Sequence, residues 1–172
     1  IDARVVAATR AWGALRCVFG AKFASLELKR KAFVGAVLPC LLFGCESWHI
    51  DCAGMSRLSA FFNRCVRQMC RVRLERMRDE HVDTLGLLRR LGMQPLQCYL
   101  RRRQLRWLGA IARMPITRLP RRILSARPVV DGVVVGKPAG RPRTSGVDVL
   151  KAALDWANIP LCRWWELAQR GG

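Results

Sequence analysis

The sequence predicts a mainly α-helical protein: a bundle-like set of helices, one small β-hairpin and short C-terminal helices. Three observations point there. Apolar residues recur at helical spacing through most of the chain up to Pro115. Glycine and proline punctuate these runs rather than interrupt them. Only one stretch, around Asp131-Gly132, is rich in β-branched residues.

The first helix is expected over 3–19, where Val5, Ala8, Trp12, Leu15 and Phe19 share one face; Gly20 ends it. Ser25 is a candidate N-cap for a second, "SLELKRKAFVGAVLPCLLFG", running to about Gly44 with a kink near Pro39. A third covers 52–72, burying Leu58, Phe61, Phe62, Cys65, Val66 and Met69, with Arg57, Arg64, Arg67 and Arg71 mostly off that face. "HVDTLGLLRRLG" is a shorter helix closed by Gly92, with Asp79, Glu80 and Asp83 near its start, where negative charge is favourable. Pro95 opens the next helix, which Pro115 ends. "RPVVDGVVVGKPAGRPR" then reads as a small hairpin followed by an exposed Gly140-Arg141-Pro142-Arg143 loop. Two short helices, near 146–157 and 160–170, close the chain. The expected segments are therefore 1–50, 51–125 and 126–172.

Charge narrows the function. The 172 residues carry a formal net charge of +19. Such a surplus opposes compaction and attracts polyanions, so RNA, DNA or an anionic membrane are the natural partners. The surplus is concentrated: residues 61–128 hold 17 arginines, no lysine and 4 carboxylates. Arginine's planar fork fits phosphate and stacks on bases. The chain starts at Ile1 and reads as part of a longer protein; it shows no signal peptide, and "AFVGAVLPCLLFGC" is too short to span a bilayer. A nuclear or cytoplasmic, non-secreted location is expected, with the eight cysteines reduced.

"RRRQLRWLGAIARMP" (Arg101 to Pro115) carries the sharpest signal. At about 100° per residue, Leu96, Trp107, Ile111 and Met114 lie within about 40° of Leu100, while Arg102, Arg106 and Arg113 lie at roughly 200–240°. Arg101 and Arg103 flank the stripe. Gly109, at about 180°, leaves a bare patch where a phosphate could approach the backbone. An ordinary core helix with a solvated back would show the same apolar stripe, but such a back usually mixes both signs. No Asp or Glu occurs between Arg101 and Ser125. A membrane-surface helix needs an exposed apolar face, which neighbouring helices are expected to cover.

Four further segments join this one in a recognisable order. "LPCLLFGCESW", "LSAFFNRCVRQMC", "RRRQLRWLGAIARMP", "AGRPR" and "WWELAQR" resemble the LLYG-x-E-x-W, L-x-x-F-x-x-R-C-L-R, R-R-L-R-W-L-G-H, G-R-P-R-x-x-W and W-x-x-L-A-Q-D-R segments of non-LTR retrotransposon (LINE-type) reverse transcriptases. The departures are Ala110 for the family's histidine, Gly146 for its tryptophan, and a closing segment without its aspartate. The resemblance implies the C-terminal part of an RNA-directed DNA polymerase: end-of-palm and thumb-proximal helices over 1–50, an arginine-rich thumb-like region over 51–125, and hairpin, loop and C-terminal helices over 126–172. It implies binding of template RNA, an RNA–DNA hybrid and target DNA, and packing against the palm and fingers encoded upstream. The arginine placements themselves give the expected contacts: Arg102, Arg106 and Arg113 with the flanking Arg101 and Arg103, a second wall of Arg64, Arg67 and Arg71 if the two helices pack side by side, and Arg141 and Arg143 in the loop. No [FY]-A-D-D motif occurs, so no catalytic residue and no cofactor is expected in this chain; the polymerase's Mg2+ would belong to the palm.

Other chemistries are weaker. Cys40, Cys45, His49 and Cys52 are close in sequence, but two of them fall in an apolar helical run, where a cysteine usually acts as a small hydrophobe. Trp107, Trp164 and Trp165 could stack on bases or pack in the core, Trp107 more readily in the core. A retroelement remnant, or a helical interaction module with incidental polyanion binding, remains the alternative.

Overall fold

The computed structural model describes residues 1–79, 81, 83–125, 129–130, 133–134 and 146–170. Its helices are α1 (Asp2–Ala14), α2 (Arg16–Gly20), α3 (Leu26–Ala32), α4 (Leu38–Leu41), α5 (Cys52–Cys70), α6 (Leu74–Asp79), α7 (Thr84–Leu91), α8 (Leu96–Arg113), α9 (Leu119–Ser125), α10 (Gly146–Trp156) and α11 (Trp164–Arg170). The class is mainly α. Val129–Val130 pairs antiparallel with Val133–Val134, two residues a strand, which is too short to add a layer. The Asp131-Gly132 turn and the 140–143 loop, with Arg141 and Arg143, lie outside the described residues. The chain divides into two units: Ile1–Cys45 with Ile50–Leu100, and Glu46–His49 with Arg101–Gly172. This division cuts across the three expected segments, with one boundary inside α8.

In the first unit the helix expected over 3–19 is broken at Leu15 (φ −101°, ψ 17°), just after Gly13, a residue that weakens a helix interior. The break brings Phe19 under Trp12, the rings stacked at 3.9 Å. Ser25 caps α3 as expected, its Oγ accepting from the Leu28 N–H at 3.1 Å. The helix then widens into a π turn at Phe33–Val37, where the Leu38 N–H reaches back to the Phe33 carbonyl. Pro39 cannot donate, and its ring would press on a carbonyl one turn back; the wider turn absorbs that conflict, so the chain stays helical to Leu41. Phe33, Phe62 and Tyr99 continue the aromatic column begun by Trp12 and Phe19.

Asp51 caps α5, its Oδ1 accepting from the Gly54 N–H at 2.8 Å. A Cβ on Gly54 would crowd Ile1 Cδ1 first and this capping oxygen next, so a larger residue there would displace both side chains. The six residues expected to be buried on α5 are buried. Burial pushes the Cys65 thiol up to about 12. Gly92 closes α7 in the left-handed conformation (φ 62°), with the Met93 N–H on the Leu88 carbonyl and its own on Arg89. Two expectations are corrected. The helix begins at Thr84, not near His81, and Asp83 flanks it without a side-chain capping bond. Helices α6 and α9 were not expected.

The second unit is built on α8, α10 and α11. Leu108, Leu150, Ala153 and Leu154 form its buried centre, with Leu105, Ile159 and Trp164 packed against it. The Glu46–His49 strip joins it through Gln104, whose amide donates to the Trp48 carbonyl at 3.0 Å. Among the described residues no helix is long and apolar enough to cross a membrane.

Candidate nucleic-acid interface

The buried face of α8 differs from the expected one. Leu96, Leu100 and Ile111 are buried as expected, but Gln104, Leu108 and Ala112 complete the face and Trp107 is 38% exposed. At about 100° per residue the face is turned by roughly 50° toward Leu108, because the second unit's core packs on that side. Gln104 fills the centre of the buried face and is satisfied there. It accepts from Arg101 Nη1 at 2.9 Å and donates to Trp48. Arg101 is thus half-buried and engaged internally, and burial lowers its pKa. Arg103 is also half-buried.

Arg102, Arg106 and Arg113 are exposed, as the wheel predicted. They do not stand over empty solvent. With Leu105 and Gly109 they form one wall of an open cleft of about 520 Å³. The other wall comes from Leu154, Trp156 and Ile159 at the end of α10, and from Trp164, Leu167 and Ala168 of α11. Arg113 Nη1 donates to the Ala168 carbonyl at 2.8 Å and ties α8 to α11 across one end. Trp164 meets Trp165 edge-on (5.2 Å, 89°), and the Arg121 guanidinium lies 4.8 Å over the Trp165 ring. Arg121 also donates to the Met114 carbonyl. No carboxylate is among the described residues lining the cleft. Sequence reasoning found the arginines, Gly109 and Trp164 as a possible stacking residue, but did not place them across one cleft. The available signal was Trp164, Leu167 and Ala168 at i, i+3, i+4, an apolar stripe opposite nothing yet identified.

Arg64, Arg67 and Arg71 lie in the first unit and do different things. Arg64 and Arg67 border a shallow groove between α1 and α5, with Asp2, Val5 and Phe61; the Arg64 guanidinium lies 5.4 Å over the Phe61 ring. Arg57 closes the groove by pairing with Asp2 at 3.0 Å. Arg71 turns away: it donates to the Gly20 carbonyl at 2.8 Å and caps the end of α2. Of the candidate zinc residues, Cys45 is buried, Cys40 half-buried, and His49 and Cys52 exposed. No cluster of three metal-capable side chains occurs among the described residues.

No family model, curated protein or solved structure matches the chain.

Proposed function

We propose that this chain is the nucleic-acid-gripping C-terminal part of a LINE-type reverse transcriptase, working in the nucleus or cytoplasm. It holds template RNA or an RNA–DNA hybrid, and target DNA, without reading sequence. In this reading residues 1–50 are end-of-palm and thumb-proximal helices and residues 51–125 an arginine-rich thumb-like region, and their partner is a palm and fingers encoded upstream. The valine pairs around Asp131-Gly132 are a hairpin ahead of the Gly-Arg-Pro-Arg loop, where Arg141 and Arg143 add contacts. The chain supplies grip, not chemistry; the polymerase carboxylates and their Mg2+ belong to the palm.

One observation carries the proposal. A chain of net charge +19 sets Arg102, Arg106 and Arg113 exposed along one helix face with no acidic residue nearby in sequence. Each phosphate neutralised by such a side chain releases counterions, and binding then weakens linearly in log affinity against log salt. Arg102→Gln with Arg106→Gln should weaken binding to every sequence alike. It should also flatten the salt slope by roughly one unit per lost phosphate contact. An unchanged slope in an anisotropy titration would remove these residues from the interface. Tighter binding of hybrid duplex than of either single strand favours the thumb reading; equal binding favours a remnant whose charge attracts any polyanion.

A further inference from the structure

We infer that the cleft between α8 and α11 receives one unpaired base at the end of a duplex, its phosphate on the arginine wall and its ring against the tryptophan wall. The inference rests on the nucleic-acid reading and adds a specific ligand to it. The two walls differ in kind. On α8, Arg102 and Arg106 stand one turn apart, a rise of about 6 Å, and offer planar donors to a phosphodiester. Facing them, Trp156 and Trp164 present indoles, and Leu154 and Leu167 present apolar surface. A purely electrostatic duplex grip has no use for this second wall, because paired bases keep their faces stacked inside the helix. An extruded base does: every base has a π-face, and stacking on aromatic side chains is indifferent to sequence.

The size fits. About 520 Å³ falls within the range of roughly 300–1,000 Å³ typical of small-molecule sites. The floor is also held in place. Trp164 packs on the core of Leu108, Leu150, Ala153 and Leu154, and Trp165, under Arg121, braces its edge. Gly109 keeps the cleft open: a Cβ there would meet only Arg113 Nη1, at 3.4 Å.

The test compares a blunt RNA–DNA hybrid with the same hybrid bearing a short single-stranded overhang, and with an overhang whose first unpaired residue is abasic. The abasic overhang keeps every phosphate, so its difference from the intact overhang isolates the base. The full chain should bind the intact overhang about tenfold more tightly than the abasic one. 2-Aminopurine at that position should lose fluorescence on binding as it stacks on indole. Gly109→Leu, which fills the cleft while improving helix propensity, should bring the affinity ratio close to one; reading a ratio cancels any general loss of grip. Trp164→Leu should do the same, but it also removes core packing, so Gly109→Leu decides. Equal affinity for intact and abasic overhangs, with salt-dependent duplex binding intact, overturns the cleft assignment alone. Absence of salt-dependent binding to any of the three overturns the nucleic-acid reading as well.

Discussion

Arg71 shows how one side chain can look like a ligand contact in sequence and serve the fold in structure. It occupies the left-handed position that ends α5 (φ 56°), where glycine is usual, with the Val72 N–H on the Arg67 carbonyl. A residue with a Cβ costs about 1–2 kcal/mol there. The bond from its guanidinium to the Gly20 carbonyl offsets part of that cost, and being exposed it offsets little. Arg71→Ala and Arg71→Gly both lose this bond, but only alanine keeps the backbone penalty. After allowing for glycine's freer unfolded chain, the glycine variant should be more stable by about 1 kcal/mol. Equal urea midpoints would show that the position is not strained. The sequence made Arg71 legible as an arginine near the end of a helix. It could not show the left-handed turn, because nothing local to residues 67–72 marks one without glycine.

At the scale of elements, the periodic parts were readable and the irregular parts were not. The buried residues of α5 follow from their spacing, and Ser25 and Gly92 mark helix ends by local chemistry. The break at Leu15, the π turn before Pro39 and the rotated face of α8 all answer to packing partners distant in sequence. Gln104 is the clearest case. A polar residue among Leu100, Leu108 and Ile111 gave no sign of being fully buried; its partner, the Trp48 carbonyl, lies 56 residues away. The Arg101–Gln104–Trp48 chain holds the 46–49 strip onto the second unit, and its worth can be measured. Gln104→Leu keeps much of the volume but strips hydrogen bonds from the Arg101 guanidinium and a main-chain carbonyl. It should cost about 2–3 kcal/mol, because buried groups left unsatisfied lose their full desolvation energy. Adding Arg101→Met removes the stranded charge and should recover part of that loss. Strictly additive losses in the double variant would mean that the two side chains do not act together.

At the scale of the whole molecule, charge sets stability and binding against each other. A net charge of +19 on 172 residues makes the folded chain repel itself, and the middle third, which carries most of the surplus, has few carboxylates to relieve it. Two ion pairs among the described residues are weak by comparison. Lys31–Glu27 at 2.9 Å and Arg57–Asp2 at 3.0 Å are both well exposed, and pairs of that kind are worth about 0–1 kcal/mol each. Salt screens both effects over a Debye length of about 8–10 Å at near-physiological ionic strength, but long-range repulsion among many like charges has far more to lose. Added sodium chloride should therefore stabilise the free protein, raising its midpoint of unfolding in urea, a denaturant that leaves ionic strength unchanged. Over the same range it should weaken binding to RNA or hybrid duplex. The two responses share one origin, the excess of arginine over carboxylate, so Arg102→Gln with Arg106→Gln, which lowers that excess, should blunt both. A midpoint that falls with salt would mean that ion pairing, not repulsion, dominates the folded state. The net charge of +19 would stand even then, because 12 carboxylates can pair with no more than 12 of the 31 cations, so the binding response would still be expected and would report on those charges alone.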